Sequence, residues 1–141
     1  TLEAAFGGDV PAHEHVCDAA AMQHIYKRDQ LSCADVDLVV FAAPQLSIEE
    51  VLQLVEQFGG RRVHANTLLL LAVGPQVKAE ADNAGLTARL RQAGGDFITG
   101  TCFYAEASIV RPVNGWRSLV TNSAKLINIT LSSSQCFFLK G

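Results

Sequence analysis

The sequence predicts an α/β domain with three layers, in which a mostly parallel sheet lies between helices. Apolar runs of strand length alternate along the chain with amphipathic segments of helix length. These connecting segments are long enough for the right-handed crossovers that join parallel strands. With 141 residues, 49% of them apolar and 18% charged, the chain can bury one core, so we expect a single domain over residues 1–141.

The first third of the chain has the weakest pattern. Leu2–Phe6 resembles the end of a helix, which Gly7 and Gly8 would close. His13–Asp18 is compatible with a short strand, although it carries two histidines and a glutamate. The following residues, Ala19–Gln30, favour a helix.

The clearest strand is Asp37–Ala43, a continuous apolar run typical of a strand buried on both faces. Pro44 has no backbone N–H to donate, so we expect the strand to end there. A helix is predicted from Ser47, because Ser47 and Glu50 have the spacing of a capping box. The glycine pair at 59 and 60 closes that helix.

Strands and helices continue to alternate after this helix, interrupted by an irregular stretch over residues 103–116. Pro at the first helical position and Gly after the last one support the boundaries. The remaining predicted elements are strand Thr67–Val73, helices Pro75–Ala84 and Leu86–Ala93, strands Asp96–Thr99 and Ser118–Thr121, helix Ala124–Leu131, and strand Gln135–Leu139.

Two short polar segments, Thr99–Cys102 and Thr121–Lys125, each follow a predicted strand. In an open α/β sheet, ligands bind beyond the carboxyl ends of the strands. We therefore expect the Cys102 thiol and the cluster of Asn122, Ser123 and Lys125 to meet in one crevice. The alternative is an ordinary helix start, in which Asn122 or Ser123 is the cap and Lys125 is solvated.

Composition excludes several classes of partner. The net charge of -3, from 11 basic and 14 acidic residues, leaves no Lys/Arg stripe for a nucleic-acid backbone. The most apolar stretch, Leu68–Leu71, is far shorter than the roughly 20 residues that span a bilayer. No secretory signal is recognisable at the start, so the sequence predicts no membrane association and favours the cytoplasm.

The potential metal ligands are dispersed in the sequence. The four cysteines show no zinc or disulfide spacing. We expect each of them to be a small buried residue, except Cys102, whose position after a strand favours a functional role. His13 and His15 flank Glu14, but without a third convergent group we interpret them as surface residues. The cysteines are Cys17, Cys33, Cys102 and Cys136.

Several of these segments, in their order along the chain, resemble the C-terminal part of the large subunit of aconitase X. The sharpest of them is the string Thr-Asn-Ser-Ala-Lys at residues 121–125. The resemblance covers nearly the whole chain and implies that residues 1–141 are a fragment of a larger subunit. The other matching segments are Leu2–Gly8, Val36–Val40 with Pro44 and Leu46–Glu50, and Gly94-Gly95 with Thr99–Cys102.

This resemblance implies a hydro-lyase that dehydrates a hydroxylated carboxylate with an iron–sulfur cluster. The substrates in the family are cis-3-hydroxy-L-proline in bacterial members and mevalonate 5-phosphate in archaeal ones. The implied partners are the missing N-terminal region of the large subunit and a small swivelling subunit or its fused equivalent. Cys102 would be a cluster ligand. Ser123 and Lys125 would be catalytic, and both would bind the substrate anion together with Asn122.

The chain departs from the family pattern at two positions. Gly100 stands where Asp is usual, and Ala43 stands where the family usually places a cluster cysteine. Because Ala43 cannot bind iron, the alternative is an inactive binding or assembly module derived from the family. A third possibility, independent of the family, is a small domain that binds an anion at the helix start after Gly74 or at Asn122.

Overall fold

The central strand of the fold is paired in parallel on both of its sides. A computed structural model describes residues 1–9, 11–28, 35–103, 105, 112–130 and 136–139. Its sheet has five parallel strands in the order β3-β2-β1-β4-β5. The strands are β1 Leu38–Leu46, β2 Leu68–Val73, β3 Gly95–Ile98, β4 Ser118–Thr121 and β5 Cys136–Leu139.

Six helices accompany the sheet in the described part of the chain, besides helical residues at Phe103, Ala105 and 112–114. They are α1 Leu2–Ala5, α2 Ala19–Arg28, α3 Ile48–Phe58, α4 Pro75–Asn83, α5 Leu86–Gln92 and α6 Ala124–Thr130. The α/β class and the parallel sheet predicted from the sequence are therefore confirmed. None of the described helices is long and apolar enough to cross a membrane.

Two predictions about strands are wrong. His13–Asp18 has no regular secondary structure and is exposed, because it contains no apolar stripe that a sheet could bury. The first strand does not end at Pro44: its register against β2 shifts after Phe41, and Leu46 then pairs with Val73. Pro44 lies inside this irregularity, where a missing N–H breaks no regular ladder.

The helix α3 illustrates how local sequence sets an element's ends. The Ser47 hydroxyl accepts from the Glu50 N–H at 3.3 Å, and the Glu50 carboxylate accepts from the Ser47 N–H at 2.8 Å. Gly59 ends the helix with φ of 53°, the left-handed region that glycine adopts most readily. The predicted capping box and glycine stop are both confirmed.

Each face of the sheet is covered by a separate apolar cluster. Helices α3, α4 and α5 pack on one face, which we call the three-helix face, and α6 packs on the other, which we call the α6 face. The alternation is visible in β1, where Leu38 and Val40 belong to the α6 face while Val39 and Phe41 belong to the three-helix face. The buried members of the α6 face are Leu38, Val40, Ala42, Ala72, Phe103, Leu119, Leu126 and Ile127.

The amino ends of β1 and β4 are joined by a polar cluster. The Asp37 carboxylate accepts hydrogen bonds from the backbone N–H of Arg117 at 2.7 Å and of Ser118 at 2.9 Å. The Ser118 hydroxyl accepts from the Asp37 N–H at 2.8 Å and lies 3.0 Å from both the Asp37 carboxylate and the Asp35 carbonyl. These residues are about 80 positions apart in sequence, so the cluster sets the register of β4 against β1.

The Asp37 cluster predicts a pH-dependent stability. The backbone donors at Arg117 and Ser118 hold the pKa of Asp37 below its ordinary value. We expect Asp37→Asn to lower the free energy of unfolding at pH 7 by about 1–2 kcal/mol, since hydrogen bonds to a charged acceptor are lost. A depressed pKa stabilises the fold above the unfolded-state value near 3.9, so the deficit disappears as the pH falls through the lowered pKa.

Urea denaturation at pH 7 and at steps down to pH 3 measures this effect. Asp35→Asn is the matched control, because the Asp35 side chain lies outside the cluster and only its carbonyl is used. An equal loss for both variants, or a deficit in Asp37→Asn that is independent of pH, would contradict the assignment.

Candidate functional site

The strand order places a topological switch between β1 and β4. The chain moves outward from β1 to β2 and β3, and then returns to the opposite side of β1 as β4 and β5. The crossovers on the two sides lie on opposite faces, so the connections leaving the carboxyl ends of β1 and β4 diverge and leave a crevice. The residues at and just beyond the carboxyl ends of these two strands, 43–47 and 121–125, therefore form the candidate site.

Ser123 is the residue that joins the two sides of the switch. Its hydroxyl donates to the Ala43 carbonyl at 2.8 Å and accepts from the Leu126 N–H at 3.1 Å. Its own N–H donates to the Thr121 hydroxyl at 3.2 Å. Ser123 is 5% exposed and Thr121 is 2% exposed, so these bonds are shielded from water. The predicted capping role of this segment is thus realised by Ser123.

The backbone at the end of β1 has an unusual conformation. Ala43 has φ of 58°, a left-handed value that is uncommon for a residue with a side chain, and the Ala43–Pro44 peptide bond is cis. Residues held at such φ values concentrate at functional sites, where the surrounding structure maintains them. Here the Ser123 hydroxyl bond to the Ala43 carbonyl is one of the interactions that maintain it.

Two polar side chains on the α6 side of the crevice are exposed. Asn122 directly precedes the buried Ser123, and Lys125 lies in the first turn of α6. An amide and an ammonium at this edge are suited to an anionic ligand, because both donate hydrogen bonds and Lys adds a positive charge. The structure therefore places all three predicted residues, Asn122, Ser123 and Lys125, at the switch.

Cys102 lies at the same edge of the sheet but follows a different strand. Its thiol is free and exposed, and it follows β3, which is separated from β4 by β2 and β1. At the usual inter-strand spacing, the ends of β3 and β4 are about 14 Å apart. The strand order is not evident from the sequence. The expectation that Cys102 and Lys125 meet in one crevice therefore did not include the two strands that lie between β3 and β4.

Phe103 brings the segment after Cys102 back toward the switch. It is 6% exposed and belongs to the same buried cluster as Leu126 and Ile127 of α6. Ala42 and Ala72, which follow the paired residues Phe41 and Leu71, are small members of this cluster and leave room for a large ring. Cys102 is thus attached to the core that supports Asn122 and Lys125. Sequence reasoning missed Phe103 because it lies where the apolar periodicity ends.

Gln45 is a second residue that the sequence did not single out. It is exposed at the carboxyl end of β1, and its carboxamide oxygen lies 3.6 Å from the position that a Cβ would occupy at Gly74. The end of β1 thereby lies next to the start of α4. No motif marks Gln45; only its position after an apolar strand could have identified it.

Comparison with known proteins identifies the family. Residues 36–138 match the family model described as aconitase X third domain. The chain belongs to the aconitase X family. It is 33% identical over 126 residues to cis-3-hydroxy-L-proline dehydratase of Pseudomonas aeruginosa, and 31% identical over 93 residues to the phosphomevalonate dehydratase large subunit of Thermococcus kodakarensis. These alignments cover 88% and 65% of this chain.

A solved aconitase X structure has a fold similar to that of this chain. The crystal structure of Thermococcus kodakaraensis aconitase X in its holo-form superimposes with a TM-score of 0.72 at 24% identity, over 96% of this chain. The chain spans only 36% of that structure, and 21% and 23% of the length of the two curated relatives.

The described residues of this aconitase X chain do not by themselves fit an iron–sulfur cluster. Such clusters are held chiefly by cysteine thiolates. The part of the chain that the structure describes contains no group of three or more His, Cys, Asp or Glu side chains that could hold a metal ion. At the switch, the end of β1 carries Ala43 and Gln45 instead of thiols. The structure places His13, Glu14 and His15 on the surface, as expected. The side chains of Cys33 and Cys136 lie outside the described residues.

Ser123→Ala tests the connection across the switch. Removal of the hydroxyl leaves the Ala43 carbonyl and the Leu126 N–H without this partner in a buried setting, so we expect a loss of about 2 kcal/mol in unfolding free energy. Ser47→Ala is the matched control, because Ser47 also caps a helix but is exposed, and it should cost about 1 kcal/mol.

Chemical denaturation measures both variants, and hydrogen exchange locates the effect. Faster amide exchange near residues 43–46 is expected in Ser123→Ala and not in Ser47→Ala. Equal costs, with no change in exchange near Ala43, would show that Ser123 acts only as a cap.

Proposed function

We propose that this chain is a domain of an aconitase X-type hydro-lyase that removes water from a hydroxylated carboxylate. The substrate is cis-3-hydroxy-L-proline or mevalonate 5-phosphate. The relatives named above, a cis-3-hydroxy-L-proline dehydratase and a phosphomevalonate dehydratase large subunit, support this reaction class. The observation that carries the proposal is the Ser123 bond to Ala43, which ties the segment that carries Asn122 and Lys125 to the end of β1.

The domain contributes anion binding and positioning within this proposal. Lys125 provides a positive point charge for a carboxylate or phosphate, and the Asn122 amide adds hydrogen bonds to the same group. An anion held at one end fixes the hydroxyl and the neighbouring C–H relative to groups supplied by the rest of the enzyme. Such fixed geometry lowers the barrier because less orientational freedom is lost during the reaction.

Ser123 is proposed as a catalytic and substrate-binding residue together with Lys125. Its hydroxyl is already committed to the Ala43 carbonyl and the Leu126 N–H. Direct participation in proton transfer requires one of these bonds to be exchanged for a bond to the substrate. Without that exchange, Ser123 acts through the position of Asn122 and Lys125.

In this proposal, the complete site contains groups from this domain and from other parts of the enzyme. The chain spans 21–36% of the length of its relatives, which supports a requirement for further regions of a large subunit and for a small swivelling subunit or its equivalent. We propose that Cys102 is an iron ligand contributed by this domain, since its thiol is exposed at the carboxyl edge of the sheet. Further ligands would have to come from outside the described residues.

A second candidate function is an inactive binding or assembly module derived from the same family. The absence of a thiol at Ala43 and of a metal-holding cluster among the described residues favours it. Turnover of both hydroxy acids by the complete assembly that carries this domain decides between the two. Water elimination from either substrate supports the hydro-lyase, and no turnover of either supports the module.

Lys125→Ala tests the anion contact in the complete assembly. Loss of the ammonium charge should raise KM or lower kcat, with kcat/KM reduced by roughly tenfold, the equivalent of one charged hydrogen bond. Steady-state kinetics with the active substrate measure this change. Lys78→Ala is the control, because Lys78 pairs with Asp82 on α4. Kinetics unchanged by Lys125→Ala would leave the residue as part of an ordinary helix start.

Cys102→Ser tests the ligand assignment independently of turnover. A serine hydroxyl is a poor substitute for a thiolate, so iron content and the visible absorption of the cluster in the complete assembly should both fall. Cys17→Ser is the matched control, because Cys17 is also a free and exposed thiol, contrary to the buried position that the sequence predicts. Full iron content in Cys102→Ser, or an equal loss in both variants, would contradict the assignment.

A further inference from the structure

The three-helix face of the sheet is incompletely covered next to β1. A groove of about 570 Å³ opens there between the sheet and the end of α3. Val39 and Phe41 of β1 are only partly buried in it, whereas Leu38 and Val40 on the opposite face are 1% and 0% exposed. The groove is lined by Val39, Phe41, Leu54, Gln57, Phe58, Arg61, Arg62, Val63 and Leu69.

The apolar surface extends from this groove toward β4. Val120 pairs with Val39, so the two side chains lie on the same face, and Val120 is likewise only partly buried. The described helices on this face are α3, α4 and α5, which connect β1, β2 and β3. Strands that are fully buried on one face and only partly buried on the other indicate a surface that another element covers.

Two arginines give one rim of the groove a positive charge. Arg61 and Arg62 are both exposed in the turn after α3. The Arg61 guanidinium is held in place because its Nε donates to the Phe58 carbonyl at 3.1 Å and its Nη2 donates to the Gln57 carbonyl. The Arg61 part of the rim is therefore positioned before any partner binds, and the charge of both arginines is complementary to carboxylates.

A second copy of the chain fits this groove poorly. In a two-fold dimer each patch faces its own equivalent, so pairing of the two grooves brings the Arg61 and Arg62 rims toward each other. Like charges at such an interface cost free energy. The surface is better matched by a different segment, with an apolar face for Phe41 and Phe58 and acidic side chains along its edge.

We propose that this groove docks an acidic amphipathic segment from the part of an aconitase X subunit that lies outside the matched region. That the segment comes from an aconitase X subunit rests on the proposed function. That it is acidic and amphipathic follows from the charge and the apolar lining of the groove. The relatives are several times longer than this chain, so material to cover the face is available in them. Docking here also leaves the carboxyl edge of the sheet open to substrate.

A pair of model peptides tests the chemistry of the occupant. The first is an 18-residue amphipathic helix with leucines on one face and glutamates along its edges, and the second carries lysines in place of the glutamates. Fluorescence anisotropy at low salt should show that the glutamate peptide binds roughly tenfold more tightly, because the rim is basic. Arg61→Glu with Arg62→Glu should reverse this preference, and Arg89→Glu with Arg91→Glu, on α5, should leave it unchanged.

Binding of neither peptide, or equal binding of both, would overturn the proposal. Sedimentation of the chain as a dimer that dissociates in the Arg61→Glu and Arg62→Glu variant would also overturn it, since a second copy would then be the occupant.

A chimera tests the supplier separately from the reaction. This chain replaces the matched 126-residue region of Pseudomonas aeruginosa cis-3-hydroxy-L-proline dehydratase, and hydroxyl-radical footprinting compares Phe41 and Phe58 with the isolated chain. Protection of both rings in the chimera supports docking even if the chimera is inactive. An active chimera with unprotected rings overturns docking and leaves the proposed function intact. If the chimera does not fold, the peptide result decides.

Discussion

The fold depends on the parallel pairing of β1 with a strand on each side. β2 follows β1 closely in sequence, but β4 joins it only after a return across the sheet from β3. Such a long-range pairing needs interactions that specify its register, because a shift of one residue would turn every side chain to the wrong face. Asp37 and Ser118 provide them at the amino end, and Ser123 and Ala43 provide them at the carboxyl end.

These two connections have different consequences. The Asp37 cluster involves hydrogen bonds at the start of the strands, away from the carboxyl edge where ligands bind in such folds. The bond between Ser123 and Ala43 lies at that edge, and it couples the irregular end of β1 to the start of α6. A residue that completes the strand pairing therefore also positions the side chains of the candidate site. This dual use explains why a buried serine lies between two exposed polar residues, Asn122 and Lys125.

Local pattern was sufficient to predict most of the elements. The capping box at Ser47 and the glycine at 59 defined α3, and continuous apolar runs defined β1 and β2, because these signals act within a few residues. The end of β1 was not predictable in this way. Its extension to Leu46 depends on pairing with Val73, which follows a register shift that no local rule specifies. The contact between Ser123 and Ala43 joins residues 80 positions apart and is likewise invisible to periodicity.

The sequence selected Asn122, Ser123 and Lys125 of the candidate site, but it did not indicate how the site is arranged in space. Cys102 and Lys125 were expected in one crevice because both follow strands, and they do lie at one edge of the sheet. The order of strands places two others between them, so their relation depends on how the chain returns through Phe103. The ring of Phe103 lies in the same cluster as two small residues, Ala42 in the middle of β1 and Ala72 near the end of β2. Larger side chains at these positions would exclude the ring and move the segment that carries Cys102. The sizes of two buried alanines thus influence where the exposed Cys102 thiol lies relative to Asn122 and Lys125.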